Sequence, residues 1–285
     1  MTTGHARRLW RLLEPYHAAT YFAPEARQAF KDAGLRGFWM GYFAGRAAPM
    51  GAVGPGVVTA TFFGFHPAMV ARAIPDAWAF ASVESVLEAR VAGVDAALRR
   101  ILDAAVAGPE IAEAAALTRK AAGAGERPGR PLFAANADLA WPEEPHLVLW
   151  HAATLLREFR GDGHVAALTT AGIDGCEAHV TLVATGAISR EILQSSRKWS
   201  DEEWHDAESR LRHRGWLADD GSLTEAGQAV RTAVEDRTDA LAAPAWSVLG
   251  DDGCERLAEL VRPLARAIAS SGEMPFPNPI GVPEA

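Results

Sequence analysis

Nine histidines are spread along the 285 residues, and several stand in short apolar stretches beside arginine, carboxylate or aromatic side chains. His17 lies in EPYHAATYF with Tyr16 and Tyr21, and His151 lies in LVLWHAATLL, so the tetrapeptide HAAT occurs twice, 134 residues apart. Downstream of the second copy, LLREFRGDGH holds Arg157, Arg160, Asp162 and His164, and GCEAHV adds Glu177 and His179. His66 precedes Pro67 in FGFHPAMV, and Phe38, Trp39, Tyr42 and Phe43 crowd one aromatic stretch. Imidazole and carboxylate are the groups that general acid–base chemistry uses near neutrality, and guanidinium groups anchor carboxylates or phosphates. His164 and Glu177 are therefore the candidate catalytic pair. His17, Tyr21, Trp39, Tyr42, His66, His151, Arg157, Arg160 and Asp162 are the candidate ligand-binding residues. Imidazole also ligates metals and haem, which keeps a cofactor reading open without defining a metal-ligand set.

Each of these residues has a plainer reading. His66 can cap a helix entered through Pro67, Arg157 and Arg160 can pair with Glu158 or Asp162 on a solvated face, and RGDGH can be a turn between helices. What favours a pocket is density: many titratable groups fall in stretches that are otherwise apolar. No phosphate-binding glycine loop, HExxH, GxSxG or zinc spacing occurs, so any site has to be assembled from separated residues.

Composition narrows the classes. The chain is 49% hydrophobic and 22% charged, ordinary for a globular protein, and long enough for two small domains or one large one. A formal net charge of −8 repels polyanions at long range, so a nucleic-acid partner would need a local basic patch. Cys176 and Cys254 lack CxxC spacing, which argues against a disulfide framework or zinc knuckle and fits a reducing cytoplasm. No apolar run approaches the ~18 residues of a membrane span. Nothing in the sequence sets an oligomeric state.

Apolar residues recur at spacings of three and four, alanine is abundant and strict alternation is scarce, which predicts a mainly all-α fold. GAVGPGVVTATFFGF, glycine-rich and then β-branched, reads as a loop with a short strand. HLVLWHAATLLREFRG and DGHVAALTTAGIDG read as successive helices. The proline- and glycine-bearing stretch 126–145 reads as a connector, and the tail 272–285, with four prolines, as an extended surface segment.

The two HAAT copies gain weight from ordered matches. Arg36-Gly37 and Arg160-Gly161, Gly64 and Gly186, and Trp78 and Trp199 follow in the same order at offsets of 124, 122 and 121. A duplication would divide the chain into a helical unit at 1–125 and a second at 146–271, packed as a pseudo-dimer with His17 and His151 near its axis.

The second unit carries the clearest motif. Ser200 and Glu203 stand in capping-box spacing, Trp204, Ala207 and Leu211 form one apolar stripe, and Gly215 stops the helix. WLADDGSLT has apolar pairs on either side of Asp219-Asp220-Gly221, a hairpin signal, and EAGQAVRTAVEDRTDALA is a further helix. Helix, small β-hairpin and helix make a winged helix-turn-helix. Leu211, Arg214-Gly215-Trp216, Asp220-Gly221 and Leu223-Thr224-Glu225-Ala226-Gly227 resemble the wing region of MarR-type regulators over about 35 residues. Across the chain, EPYHAATYF, FFGFHPAMVARAIPDAW, LLREFRGDGH and TEAG…R…VEDRTD resemble an actinobacterial helix-turn-helix family, a label of fold and not of activity.

The MarR resemblance implies DNA binding through Arg190, Arg197, Lys198, Arg212 and Arg214. Asp201, Glu202, Glu203 and Asp206 occupy the start of the would-be recognition helix, however, and Asp219-Asp220 the wing tip, where they would face phosphates. The sequence thus predicts a winged-helix-derived protein with an internal pocket for a small-molecule ligand, with possible His/Glu/Arg catalysis. A MarR-like regulator with an effector pocket is the alternative.

Overall fold

The computed structural model describes residues 3–275, 277, 278 and 280. Fifteen α-helices fill the described residues: α1 (Gly4–Phe22), α2 (Pro24–Asp32), α3 (Gly37–Ala47), α4 (Pro55–Phe62), α5 (Pro67–Ala71), α6 (Ala77–Phe80), α7 (Val83–Leu102), α8 (Pro109–Gly123), α9 (Pro131–Ala137), α10 (Pro145–Thr170), α11 (Gly175–Val183), α12 (Arg190–Arg197), α13 (Asp201–His213), α14 (Glu225–Ser247) and α15 (Gly250–Ala269). Six of them, α2, α4, α5, α8, α9 and α10, begin on proline. Proline's fixed φ suits the first helical position, where its missing N–H has no partner to lose. Ser82, Asp174, Ser189, Ser200 and Thr224 accept backbone N–H groups at the starts of α7, α11, α12, α13 and α14, satisfying donors that a helix leaves open.

The long helix α10 packs against α1, α8, α9 and α14, and α1 also meets α15. The largest apolar cluster runs along these contacts from Ala6 to Ile268, with Leu9, Leu98, Ile111, Leu149 and Leu257 fully buried. Each such side chain contributes about 1.5–3 kcal/mol of burial. A second cluster gathers Phe43, Phe62, Phe65 and Ile74 from α3 to the α5–α6 turn. A third, with Cys176, Val180, Leu193, Trp204, Ala207, Leu211 and Leu217, joins α11, α12 and α13.

That third cluster is the core of a helix-turn-helix. α12 ends at Arg197, Lys198 adopts a left-handed conformation (φ 65°), and Ser200 caps α13 through the capping box with Glu203. No β-strand follows among the described residues. Where a β-hairpin wing is predicted, a single antiparallel bridge joins Leu217 to Leu223, and the Ala218 N–H donates to the Ser222 carbonyl at 2.9 Å. Two residues on either side of a tight turn are too few for a ladder, and α14 begins at once at Glu225.

The structure departs from the sequence reading in four further ways. Residues 55–62 are helix, not strand, because Pro55 starts a helical turn and Phe62 reaches the aromatic core. The two predicted helices around RGDGH are one, α10, so RGDGH is not a turn. Gly163 in its middle allows close approach, since a Cβ there would lie 3.0 Å from Arg130 Nη1 and 3.2 Å from Leu241 Cβ. The tail is not purely superficial: Met274 and Asn278 are buried, and Ile280 packs on the aromatic cluster. The packing gives no support for the predicted pseudo-dimer: the largest cluster draws on α1, α7 and α8 together with α10, α14 and α15.

Candidate functional site

A cleft of about 1020 Å³ opens between α1, α4, α10, α11 and α14, with Pro277, Asn278 and Ile280 on its rim. Seven arginines line it (Arg7, Arg11, Arg46, Arg157, Arg160, Arg197 and Arg231) against three carboxylates, Glu14, Glu235 and Asp236. Glu158 and Asp239 stand behind the lining and pair with four of these arginines, yet arginine still exceeds carboxylate here although the chain as a whole is acidic.

The charges are organised in pairs. Glu158, buried beneath the cleft, accepts Arg46 Nε and Nη2 at 3.0 Å each and Arg157 Nη1 at 2.8 Å. Burial opposes its charge, but Arg157 and Arg46 hold its carboxyl well below the usual range. Glu14 meets Arg157 at 3.3 Å, yet burial outweighs that contact and pushes its pKa up. Arg160 donates to Asp239 at 2.6 Å and lies 3.7 Å from Glu235, while Arg231 donates to Glu235 at 2.7 Å. Arg197, buried over the Phe65 ring at 4.4 Å, is pushed down to about 10 by burial, with Arg46 and Arg157 adding repulsion. Phe62, Phe63, Phe65 and Tyr42 give the cleft an apolar wall.

His164 and His179 face this basin from α10 and α11. Thr238 donates its hydroxyl to the Val234 carbonyl at 2.7 Å, so at its 2.9 Å contact with His164 it accepts from Nδ1–H. Nε2 of His164 is then left as an acceptor with no partner among the described residues. Burial, reinforced by Arg231 and Arg160, lowers its pKa to about 4, so the ring is neutral at pH 7. His179 donates Nε2–H to the Gly64 carbonyl at 2.8 Å, and burial takes it down to about 3. Trp199 Nε1 donates to the same carbonyl at 2.9 Å. A Cβ at Gly64 would fall 2.7 Å from His179 Nε2, so a larger residue there would displace this ring.

The residues singled out from sequence are divided among several places. Tyr42, Arg157, Arg160 and His164 line the cleft. His17 does not meet His151. Thr154 passes its hydroxyl hydrogen to the Trp150 carbonyl, so it accepts His17 Nδ1–H at 2.9 Å, and Nε2 of His17 accepts the Tyr21 hydroxyl at 2.9 Å. With both nitrogens engaged, His17 has no lone pair left for a ligand. His151 packs edge-on against Trp141, its Nε2 buried without a partner. Asp162 caps α9 by accepting the Phe133 N–H at 2.9 Å, and burial raises its pKa to about 6. Trp39 belongs to the aromatic cluster with Phe43 and Phe65. His66 caps α5, accepting the Ala68 N–H at 3.1 Å, and its Nε2 reaches Glu203 at 2.8 Å.

Glu177 stands apart from the cleft. It forms the capping box of α11 with Asp174, accepts Arg210 Nε at 2.9 Å and pairs with Arg214. No proton-transfer partnership with His164 follows from that position. Arg7, Arg11, Arg46, Arg231 and His179 are among the cleft residues outside the candidate set. Arg46 had a legible signal, a single charge within the aromatic run GFWMGYFAGRA. Among the described residues no three His, Cys, Asp or Glu side chains converge as a metal shell, and no helix is long and apolar enough to cross a membrane.

Three of the four arginines offered for DNA are engaged by carboxylates, and the fourth, Arg197, is buried in the cleft wall. Arg190 meets Asp201 at 2.8 Å and Glu208 at 3.9 Å, Arg212 meets Glu208 at 3.4 Å, and Arg214 pairs with Glu177. Lys198 is exposed on the turn. The N-terminal end of α13, the end that would enter a groove, is docked on the body through Glu203–His66 and Trp199–Gly64.

Fold and site together define an all-helical protein with a helix-turn-helix unit set against an arginine-lined cleft. The chain belongs to the helix-turn-helix family, whose model matches residues 6–275. No curated protein and no solved structure matches it.

Proposed function

We propose that this protein binds an acidic small molecule in the arginine-lined cleft, with Arg160, Arg197 and Arg231 facing its anionic groups. The aromatic wall of Phe62 and Phe65 would take its apolar part. The observation that carries this reading is the excess of arginine over carboxylate on one concave surface of an otherwise acidic chain. Guanidinium groups already held by Asp239 and Glu235 need little reorganisation to take a second anion, which favours binding. Neutral His164, with Nε2 free as an acceptor, is the group placed to receive a proton or hydrogen bond from the ligand.

Titration calorimetry with citrate, succinate and phenyl phosphate tests this. Binding of at least one probe, weakened about tenfold in Arg231→Gln, is expected, since a charge-assisted hydrogen bond contributes about 1.5–3 kcal/mol. Absence of binding to all three, together with salt-dependent binding to duplex DNA, would overturn the reading. The outcome would then be a MarR-like regulator, supported by the turn geometry of α12 and α13.

A further inference from the structure

On the other side of Tyr42 lies a second, smaller recess of about 210 Å³, formed where α2 and α3 meet the end of α1. Its walls are apolar, from Phe30, Leu35 and Phe38, and Tyr21 and Tyr42 close the inner end. Tyr42 lines both this recess and the arginine cleft, so the two are separate spaces sharing one ring as a partition.

Two polar features mark the recess, and the second points to its occupant. Thr20 lines the recess, is 3% exposed, and has a buried hydroxyl with no hydrogen-bond partner. That is unusual on these helices: Thr118 and Thr154 donate to the carbonyls four residues back at 2.7 Å and 3.0 Å. That hydroxyl has no surface open to the recess, so it lies behind the lining and is not a contact for an occupant. The second feature is charge. Arg27 and Lys31, one turn apart on α2, are exposed and line the same space, and neither has an ion-pair partner among the described residues.

The aromatic lining by itself would also suit an organic cation, since ring faces attract ammonium groups. Two unpaired cations on the lining decide against that, because both would repel a positive ligand while attracting a negative one. The volume lies below the range of about 300–1,000 Å³ typical of drug-sized ligands, which limits the occupant to a single ring or short chain.

We infer that this recess is a binding site for a small aromatic monocarboxylate. Its ring lies among Phe30, Leu35 and Phe38, and its carboxylate meets Arg27 and Lys31. The site is independent of the arginine cleft and of the function proposed for it.

Phenylacetate titrated into the full chain, followed by calorimetry, tests the assignment. Saturable binding is expected, weakened about tenfold for neutral phenylacetamide and about tenfold in the Arg27→Gln/Lys31→Gln double variant. Both replaced residues are exposed, so the fold is retained, which circular dichroism checks. Phe38→Ala, also at an exposed position, should weaken binding by a similar factor, while Arg231→Gln should leave phenylacetate binding unchanged. Loss of affinity in Arg231→Gln but not in the double variant would place phenylacetate in the cleft and overturn the proposal. So would no binding to the wild type, or tighter binding of phenyltrimethylammonium than of phenylacetate.

Discussion

His17 donates Nδ1–H to Thr154 Oγ1 across 2.9 Å, joining the histidine of one HAAT segment to the threonine of the other. The reciprocal pair is not made: Thr20 Oγ1 and His151 Nε2 are both buried without partners. The repeated tetrapeptide therefore brings α1 and α10 into contact without making the two histidines equivalent. One is locked between Thr154 and Tyr21, and the other turns to Trp141.

Acid should destabilise the fold through its buried imidazoles. His151 and His164 are lowered from 6.5 to about 4, and His179 to about 3, in each case chiefly by burial. A histidine whose folded pKa is depressed supports the fold fully above its unfolded pKa. That support is lost as pH falls from 6.5 towards the folded value, because the unfolded chain binds the proton first. Each group contributes a slope approaching about 1.4 kcal/mol per pH unit in that window. Asp162, raised from 3.8 to about 6, works the other way between those values and offsets part of one histidine. Urea unfolding at pH 7 and pH 5 should show the midpoint falling; a midpoint that rises would contradict the burial of these rings.

Glu158→Gln should be among the most damaging single replacements in the cleft. It leaves Arg46 and Arg157, 10% and 15% exposed, with their shared carboxylate gone and only Glu14, itself pushed towards protonation, in reach of Arg157. Breaking a buried pair in this way costs about 3–5 kcal/mol. The check is the chemical-denaturation midpoint, with an unchanged slope to confirm that the unfolded state is not the cause.

Two glycine-to-alanine replacements should have opposite effects. At Gly227 a Cβ would fall 2.0 Å from the Trp216 carbonyl oxygen, so Ala there should separate α14 from the bridge region and cost about 2 kcal/mol or more. At Gly123, at the end of α8, nothing lies within 4 Å of the added methyl. Ala there should be neutral or stabilise by up to about 1 kcal/mol through helix propensity. Thermal unfolding of the two variants side by side reads both.

Duplex DNA should bind weakly or not at all at physiological salt. Asp201 and Glu202 are exposed at the start of α13, and Arg190, Arg212 and Arg214 are paired with carboxylates. Removing two acidic charges with Asp201→Asn/Glu202→Gln should strengthen non-specific binding, read by fluorescence anisotropy across a salt series. Tight wild-type binding that the double variant leaves unaltered would show that this face is not what governs contact with nucleic acid.

Local features were legible in the sequence. Pro67 marks a helix start because the ring suits the first helical position, and Ser200 with Glu203 declares the capping box of α13, whereas Pro55 sits in a glycine-rich, β-branched stretch that reads as loop and strand. The all-helical class follows from periodicity, and the helix-turn-helix from the spacing of caps, apolar stripe and glycine stop. Which charges share a space is settled by how the helices pack. Arg46 meets Glu158 across 112 residues, Arg160 meets Asp239 across 79, and Arg157 lies over the Tyr21 ring. Those pairings depend on how α1, α3, α10 and α14 cross. A carboxylate in a motif reads the same whether it caps a helix, as Glu177 and Asp162 do, or holds a cleft arginine, as Glu158 does. Burial and partners separate the two roles, and neither is a property of a short stretch of chain.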